Sequence, residues 1–244
     1  MRPETLLEKA ASIVIIGVGG TGSFLLTVLL RYLNSRSDVN QNFEIIIVDG
    51  DKYEEKNVNR QEFAHSRIGR NKADVQAEVY SKKFPNLRIT SVPKYLGEEN
   101  IEQVIRERSV VFCCVDNHKC RYMVSLHCQE LNDVLLISGG NEEFDGNIQA
   151  YCRENGEALN NPIEVRHPEI KNTDDGDRSK MSCEELATLP SGSQFIGTNS
   201  TAGNMMFQLM FGYENQTPGI ENVNDIYFDI RQVKTLRIVN GQPE

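Results

Sequence analysis

The segment GVGGTGS at residues 17–23 carries the spacing G-x-G-x-x-G on Gly17, Gly19 and Gly22, after the apolar run SIVIIG and before FLLTVLLRYL. Glycine at the first two positions lets a chain turn sharply and approach a phosphate, and the third allows close helix–strand packing. The helix that follows offers free N–H groups to an anion. Asp49 and Asp51 close the next apolar run, FEIIIVDGD, where a carboxylate can accept from ribose hydroxyls. This much fits NAD, and a tight turn without a ligand is the competing structural reading.

The next stretch, DGDKYEEKNVNRQEFAHSRIGRNKAD, does not fit NAD well. It gathers Lys52, Lys56, Arg60, Arg67, Arg70 and Lys72 in a chain of net charge −9. Hydride transfer needs no such cluster just beyond its ribose acid, whereas a triphosphate attacked at its α-phosphorus must have its charge neutralised. A solvated charged loop stands as the alternative. The cysteines Cys113, Cys114, Cys120, Cys128, Cys152 and Cys183 form no C-x-x-C pair, so no structural zinc is expected. In a reducing cytosol most are expected as buried thiols. His65, His118, His127 and His167 are scattered without ligand spacing.

These groups need a frame. SIVIIG, FEIIIVDGD, LRITSVP, SVVFCCVD and VLLISGG read as buried strands. Between them lie helical patterns: residues 21–33, GRNKADVQAEVYSKKF, GEENIEQVIRER and NHKCRYMVSLHCQELN. The alternation predicts a Rossmann-like, doubly wound α/β sheet, mainly parallel. Beyond residue 140, FDGNIQAYCRE alternates like an antiparallel strand, residues 153–180 read as a flexible polar loop, and SQFIGTNSTAGNMMFQLMFGY returns to helical period. DIYFDIRQVKTLRIV reads as two strands around a tight turn. A single domain over 1–244 is expected, with a nucleotide-binding half (1–140) and a C-terminal half (141–244).

At 39% hydrophobic and 25% charged residues the composition is that of a soluble globular protein. The acidic balance disfavours general attraction to nucleic acid or an anionic membrane. No apolar run is long enough to span a bilayer, and MRPETLLEKAASIVIIG lacks a signal-peptide cleavage pattern. A cytoplasmic location is therefore expected.

Five separated motifs, GVGGTGS, VDGDKYEEKNVNRQEF, IGRNKA, CCVDNHKCR and ISGGNEEFDGNIQAY, closely resemble the ThiF–MoeB–HesA family, the ubiquitin-activating-enzyme-like adenylyltransferases, in their compact stand-alone bacterial form. The resemblance implies an ATP-cradling turn at Gly17, Gly19, Gly20 and Gly22, and a ribose acid at Asp49 with Asp51 beside it. It implies phosphate contacts from Asn57, Arg60, Gln61 and Lys72, a Mg2+-binding acid at Asp116, and adenine next to Asn117. The implied reaction activates the Gly-terminated C-terminal carboxylate of a small ubiquitin-like or sulfur-carrier protein as an acyl-adenylate. Cys183 stands where several members place a reactive cysteine that takes a thioester; an inert thiol is the alternative.

The chain departs from the pattern in two places. Many members carry a Y-x-R-Q arginine that reaches across a homodimer to the other subunit's ATP; Arg2 is the sole N-terminal candidate here, with Arg67 or Arg70 as substitutes. The C-x-x-C zinc pairs are missing. A non-catalytic nucleotide-binding partner subunit and an NAD-dependent oxidoreductase remain as alternatives, and a tRNA-modifying relative performs the same chemistry.

Overall fold

The structure is a computed structural model that describes residues 4–36, 42–58, 61, 63–172 and 195–243. Its frame is one ten-stranded sheet. The parallel part contains β1 (Ser12–Ile16), β2 (Glu44–Val48), β3 (Ile89–Val92), β4 (Ser109–Cys113) and β5 (Val134–Asn141). An antiparallel extension adds β6 (Asp145–Glu154), β7 (Glu157–Ala158), β8 (Val223–Asp229), β9 (Lys234–Val239) and β10 (Gln242–Pro243). The spatial order is β10-β9-β8-β6-β5-β4-β1-β2-β3, with β7 paired to β6. β1 and β4 are buried at every residue, as parallel strands covered on both faces must be. The chain winds outward from β1 to β3 and then returns to place β4 on the other side of β1. Such a reversal of winding opens a crevice at the strands' carboxyl ends.

Alternate strand residues feed two cores. Ile13, Ile15, Ile45, Ile47 and Phe112 pack with α2 (Gly20–Ser35), α3 (Lys72–Lys83) and α7 (Ile196–Glu214). Val14, Ile16, Val48, Val111 and Cys113 pack with α4 (Ile101–Val104), α5 (His118–Glu130) and α6 (Ile163–Arg166). A capped helix α1 (Leu6–Lys9) buries Leu7. Among the described residues no helix is long and apolar enough to cross a membrane.

The structure corrects two expectations. The helix read over residues 97–108 shrinks to Ile101–Val104. Gly97 and Asn100 close a turn before it, Ile105 goes extended to bury itself at 1% exposure, and Arg108 takes φ 60° at the entry to β4. Of the flexible loop read over 153–180, residues 153–172 carry regular structure, and 173–180 lie outside the described residues. Asn155 and Gly156 take φ 52° and 82°, forming the Asn-Gly hairpin turn that joins β6 to β7. Ile163 and Ile170 then pin the segment into the core at 2% and 3% exposure.

Helix α7 lies directly on α2. A Cβ on Gly203 would stand 2.8 Å from the Leu25 amide nitrogen and 2.9 Å from the Thr21 carbonyl, both backbone atoms of α2. Gly203→Val therefore forces the helices apart, and a loss of about 1–3 kcal/mol is expected in denaturant unfolding; an unchanged midpoint contradicts this packing.

A buried charge cluster ties α6 to the antiparallel strands. Arg166 Nη1 meets Asp225 Oδ1, and Nη2 donates to the Ala150 carbonyl at 2.6 Å. His167 sets Nε2 against Asp225 and Nδ1 against Glu169, each at 3.0 Å. Burial alone would lower the histidine's pKa, but the hydrogen bonds and charges of Asp225 and Glu169 raise it above its ordinary 6.5. A raised folded pKa gives stability that is complete below the unfolded value and is lost as pH rises through the folded one. Between about pH 6 and pH 9 the wild type is thus expected to lose more melting temperature than His167→Gln; parallel profiles refute the linkage.

Candidate active site

A cleft of about 1400 Å³ opens where the winding reverses, lined by Gly17, Asp49, Lys72 and Asp116 among others. Its floor is the turn from β1 to α2. Gly17 sits at φ +81° with its amide bonded to the Val48 carbonyl. Gly22 approaches so closely that a Cβ there would lie 2.0 Å from the Gly17 carbonyl oxygen. Gly19 is the N-cap of α2 and supplies no side-chain acceptor, and no acid occupies the first turn. The positive end of a 16-residue helix thus faces the cleft without a built-in anion.

Asp49, 9% exposed, accepts the Val18 N–H on one oxygen and the Asp51 N–H on the other, each at 2.8 Å. Burial raises its pKa, against the lowering pull of Lys72 and the two amides. Each oxygen keeps a second lone pair, so the carboxylate can shape the glycine turn and still receive a ribose hydroxyl. Asp51 holds the Lys72 ammonium at 2.9 Å, on a side chain only 7% exposed. Burial works to raise the Asp51 carboxyl, but hydrogen bonds from Tyr95 and Lys72 overrule it and hold it below the ordinary value.

Asn71 sets this pair in place. Its Oδ1 caps α3 at the Asp74 amide, and its Nδ2 donates to the Asp49 and Asp51 carbonyls at 2.9 and 3.1 Å. The neck of the basic loop is closed by Tyr53 stacked on Phe63 at 4.0 Å and by the Gln76–Tyr53 hydroxyl bond. From the basic cluster, only Lys72 reaches the cleft lining among the described residues. Arg67 and Arg70 are claimed by Glu78 at 3.3 and 2.7 Å, and Lys56 by Glu54. Expectation and structure part here because acids on α3 and in the loop itself lie within reach of those cations.

Asp116 and Asn117 follow β4 and line the cleft. Asn117 also caps α5, its Oδ1 accepting from the Cys120 amide at 2.8 Å. Gln61 lines the cleft, 7% exposed, with its Oε1 unpaired; its Nε2 is the side-chain atom that lies toward Gly19. Asn57 is 3% exposed and turns its Oδ1 to the Glu54 amide, outside the cleft lining. Arg60, Cys183 and Arg2 lie outside the described residues. The five described cysteines are free thiols, and burial pushes Cys152 up to about 12 and Cys114 and Cys128 well above the thiol range.

Three groups in or beside the cleft escaped the sequence reading. Gly20 is needed because α7 brings the Asn199 carboxamide over it; a Cβ would stand 2.3 Å from Nδ2. Asn199 accepts from Asn141, which accepts from Thr21, each at 2.9 Å, bolting α7 and β5 to the glycine turn. Arg121 spans the β4–α5 loop and β5 by donating to the Val115 and Gly139 carbonyls. Tyr95, beyond β3, donates its hydroxyl to Asp51. Only Arg121 had a signal, standing inside the quoted CCVDNHKCR; the other pairings join residues 44 to 120 positions apart.

Comparison with known proteins places this geometry. A MOCS3 adenylyltransferase and sulfurtransferase of Drosophila virilis is 29% identical over 144 residues, 59% of this chain and 30% of that protein. A ubiquitin-like modifier-activating enzyme 5 of Oryza sativa subsp. japonica is 29% identical over 57% of this chain and 34% of its own length. This chain therefore spans about a third of the curated relatives that match it most strongly. A probable molybdopterin-synthase adenylyltransferase of Porphyra purpurea is 25% identical over 99% of this chain and 61% of its own. The same fold occurs in E. coli MccB solved with ATP, at a TM-score of 0.72 and 18% identity, covering 97% of this chain and 67% of that one. The ThiF family profile matches residues 5–238, and the chain belongs to the ThiF family.

Proposed function

We propose that this protein is an ATP-dependent adenylyltransferase that activates the C-terminal carboxylate of a small ubiquitin-like or sulfur-carrier protein. The observation that carries the reading is the meeting, in one cleft, of the uncapped α2 N-terminus, the ribose-ready Asp49, the buried Lys72 ammonium and Asp116. The names of the adenylyltransferase relatives support it.

In this reading the triphosphate lies along the glycine turn, where first-turn amides and Lys72 take up its charge. Lys72 exchanges Asp51 for phosphate oxygens. The carrier's carboxylate attacks the α-phosphorus, an acyl–phosphate bond forms, the α–β bridging bond breaks, and pyrophosphate leaves with the electron pair. A carboxylate is already ionised, so no general base is required and catalysis is positioning with charge stabilisation. An exposed carboxylate at the end of β4 suits Mg2+, which keeps several waters and uses one or two carboxylates with substrate phosphates; Asp116 would hold it, and bound there it would neutralise phosphate charge. Arg60, Gln61 and Asn117 belong to the nucleotide contacts in this proposal, Asn57 shapes the loop that carries Arg60 and Gln61, and Cys183 belongs to a following thioester step. A cytoplasmic homodimer is the assembly we assign to it.

Carrier-dependent exchange of labelled pyrophosphate into ATP, measured with candidate Gly-terminated carriers, tests the proposal. Lys72→Ala is expected to lower the exchange rate about 10²-fold with the fold retained, and Asp116→Asn to lower it comparably. Absence of exchange with every carrier, together with tight NAD binding, overturns the reading. A carrier adduct that is thiol-sensitive in the wild type and persists in Cys183→Ser moves the thioester to another cysteine.

A further inference from the structure

The geometry points to Tyr95 as the stacking wall for the nucleotide's base, a role that rests on the ATP reading of the cleft and goes beyond it. Tyr95 is 69% exposed, yet it is fixed rather than loose. Its hydroxyl donates to Asp51, the same carboxylate that holds Lys72. Its ring fills the space above Gly50, the residue between the two acids: a Cβ at position 50 would stand 2.6–2.7 Å from ring carbons Cγ, Cδ1 and Cδ2. The backbone behind the ring is held too, because Asn100 donates to the Tyr95 carbonyl at 3.0 Å and accepts the Gly97 amide at 2.9 Å.

The ring therefore rests on the strand end at Gly50 while most of it stays exposed, and it lines the cleft together with Leu96 and Val115. Leu96 and Val115 are partly buried against one core cluster, so this corner offers apolar surface beside the ribose acid. A flat heteroaromatic base suits such a corner: stacking on an aromatic face tolerates any base and needs no hydrogen-bond donor. The Tyr95–Asp51–Lys72 chain then links the two ends of one nucleotide. When Lys72 leaves Asp51 for phosphate, the tyrosine hydroxyl still compensates the acid's charge. Tyr95 deprotonates only at about 12, because its hydroxyl bond to Asp51, then burial, then nearby acids oppose a phenolate, so it remains a donor over the working range.

Titration calorimetry with Mg-ATP and with Mg-tripolyphosphate separates base from phosphate contacts. The wild type is expected to prefer ATP. Tyr95→Ala should weaken ATP binding roughly tenfold while leaving tripolyphosphate within about twofold, as loss of a stacking face predicts. Tyr95→Phe keeps the face and should keep most of the preference. Gly50→Ala, which places a methyl group in the ring's seat, should reproduce the ATP-selective loss with Tyr95 still present. An unchanged ATP-to-tripolyphosphate ratio in Tyr95→Ala, or an equal loss of both ligands, overturns the stacking role and leaves the nucleotide reading standing. Equal affinities for the two ligands in the wild type count against the nucleotide reading itself.

Discussion

A carboxylate buried at the end of a parallel strand must be paid for in hydrogen bonds, and Asp49 collects them from the parts of the chain that make the cleft. Its two oxygens take the Val18 and Asp51 amides, and its carbonyl takes the Asn71 carboxamide. The glycine turn, the second acid and the start of α3 are thereby fixed to one another through a single residue. An unpaired carboxylate at this depth would cost several kcal/mol, so the arrangement is held tightly. The same acids hold Lys72 in place through its pair with Asp51.

The second constraint is steric. The glycine turn is compressed from both sides: its own helix packs so closely that Gly22 has no room for a side chain, and α7 lowers Asn199 onto Gly20. The C-terminal half thus braces the glycine-turn end of the cleft through the Asn199–Asn141–Thr21 chain of hydrogen bonds. The antiparallel strands extend the same sheet away from that point, and residues Asn147, Gln149 and Tyr227 continue the lining along it. One continuous lining connects the glycine turn to the strands of the C-terminal half.

Much of this was legible from residue order. The apolar strands, the glycine spacing, the strand-end acids and the antiparallel turn of the later strands all follow from local periodicity and turn chemistry. The polar segment after residue 153 did not, although Asn155–Gly156 was a readable hairpin signal, because two buried isoleucines among polar neighbours carry no periodic pattern. The basic cluster was legible as charge but not as direction. Arg67 and Arg70 turn to Glu78, whose carboxyl is held at about 2 by Lys82, Arg70 and Arg67.

The sequence by itself determined the doubly wound sheet, the glycine turn at a helix N-terminus and the positions of the strand-end acids and nearby basic residues, since each rests on neighbours within a few positions. Only the tertiary structure decided which of them share the cleft. Lys72 entered it while Asn57 was spent on its own turn, Tyr95 and Arg121 joined it, and Asn199 came from a distant segment to close over Gly20 beside it. The physical reason is that a side chain's partner is set by which groups the fold brings within about 3 Å, and strand order, not sequence distance, governs that approach.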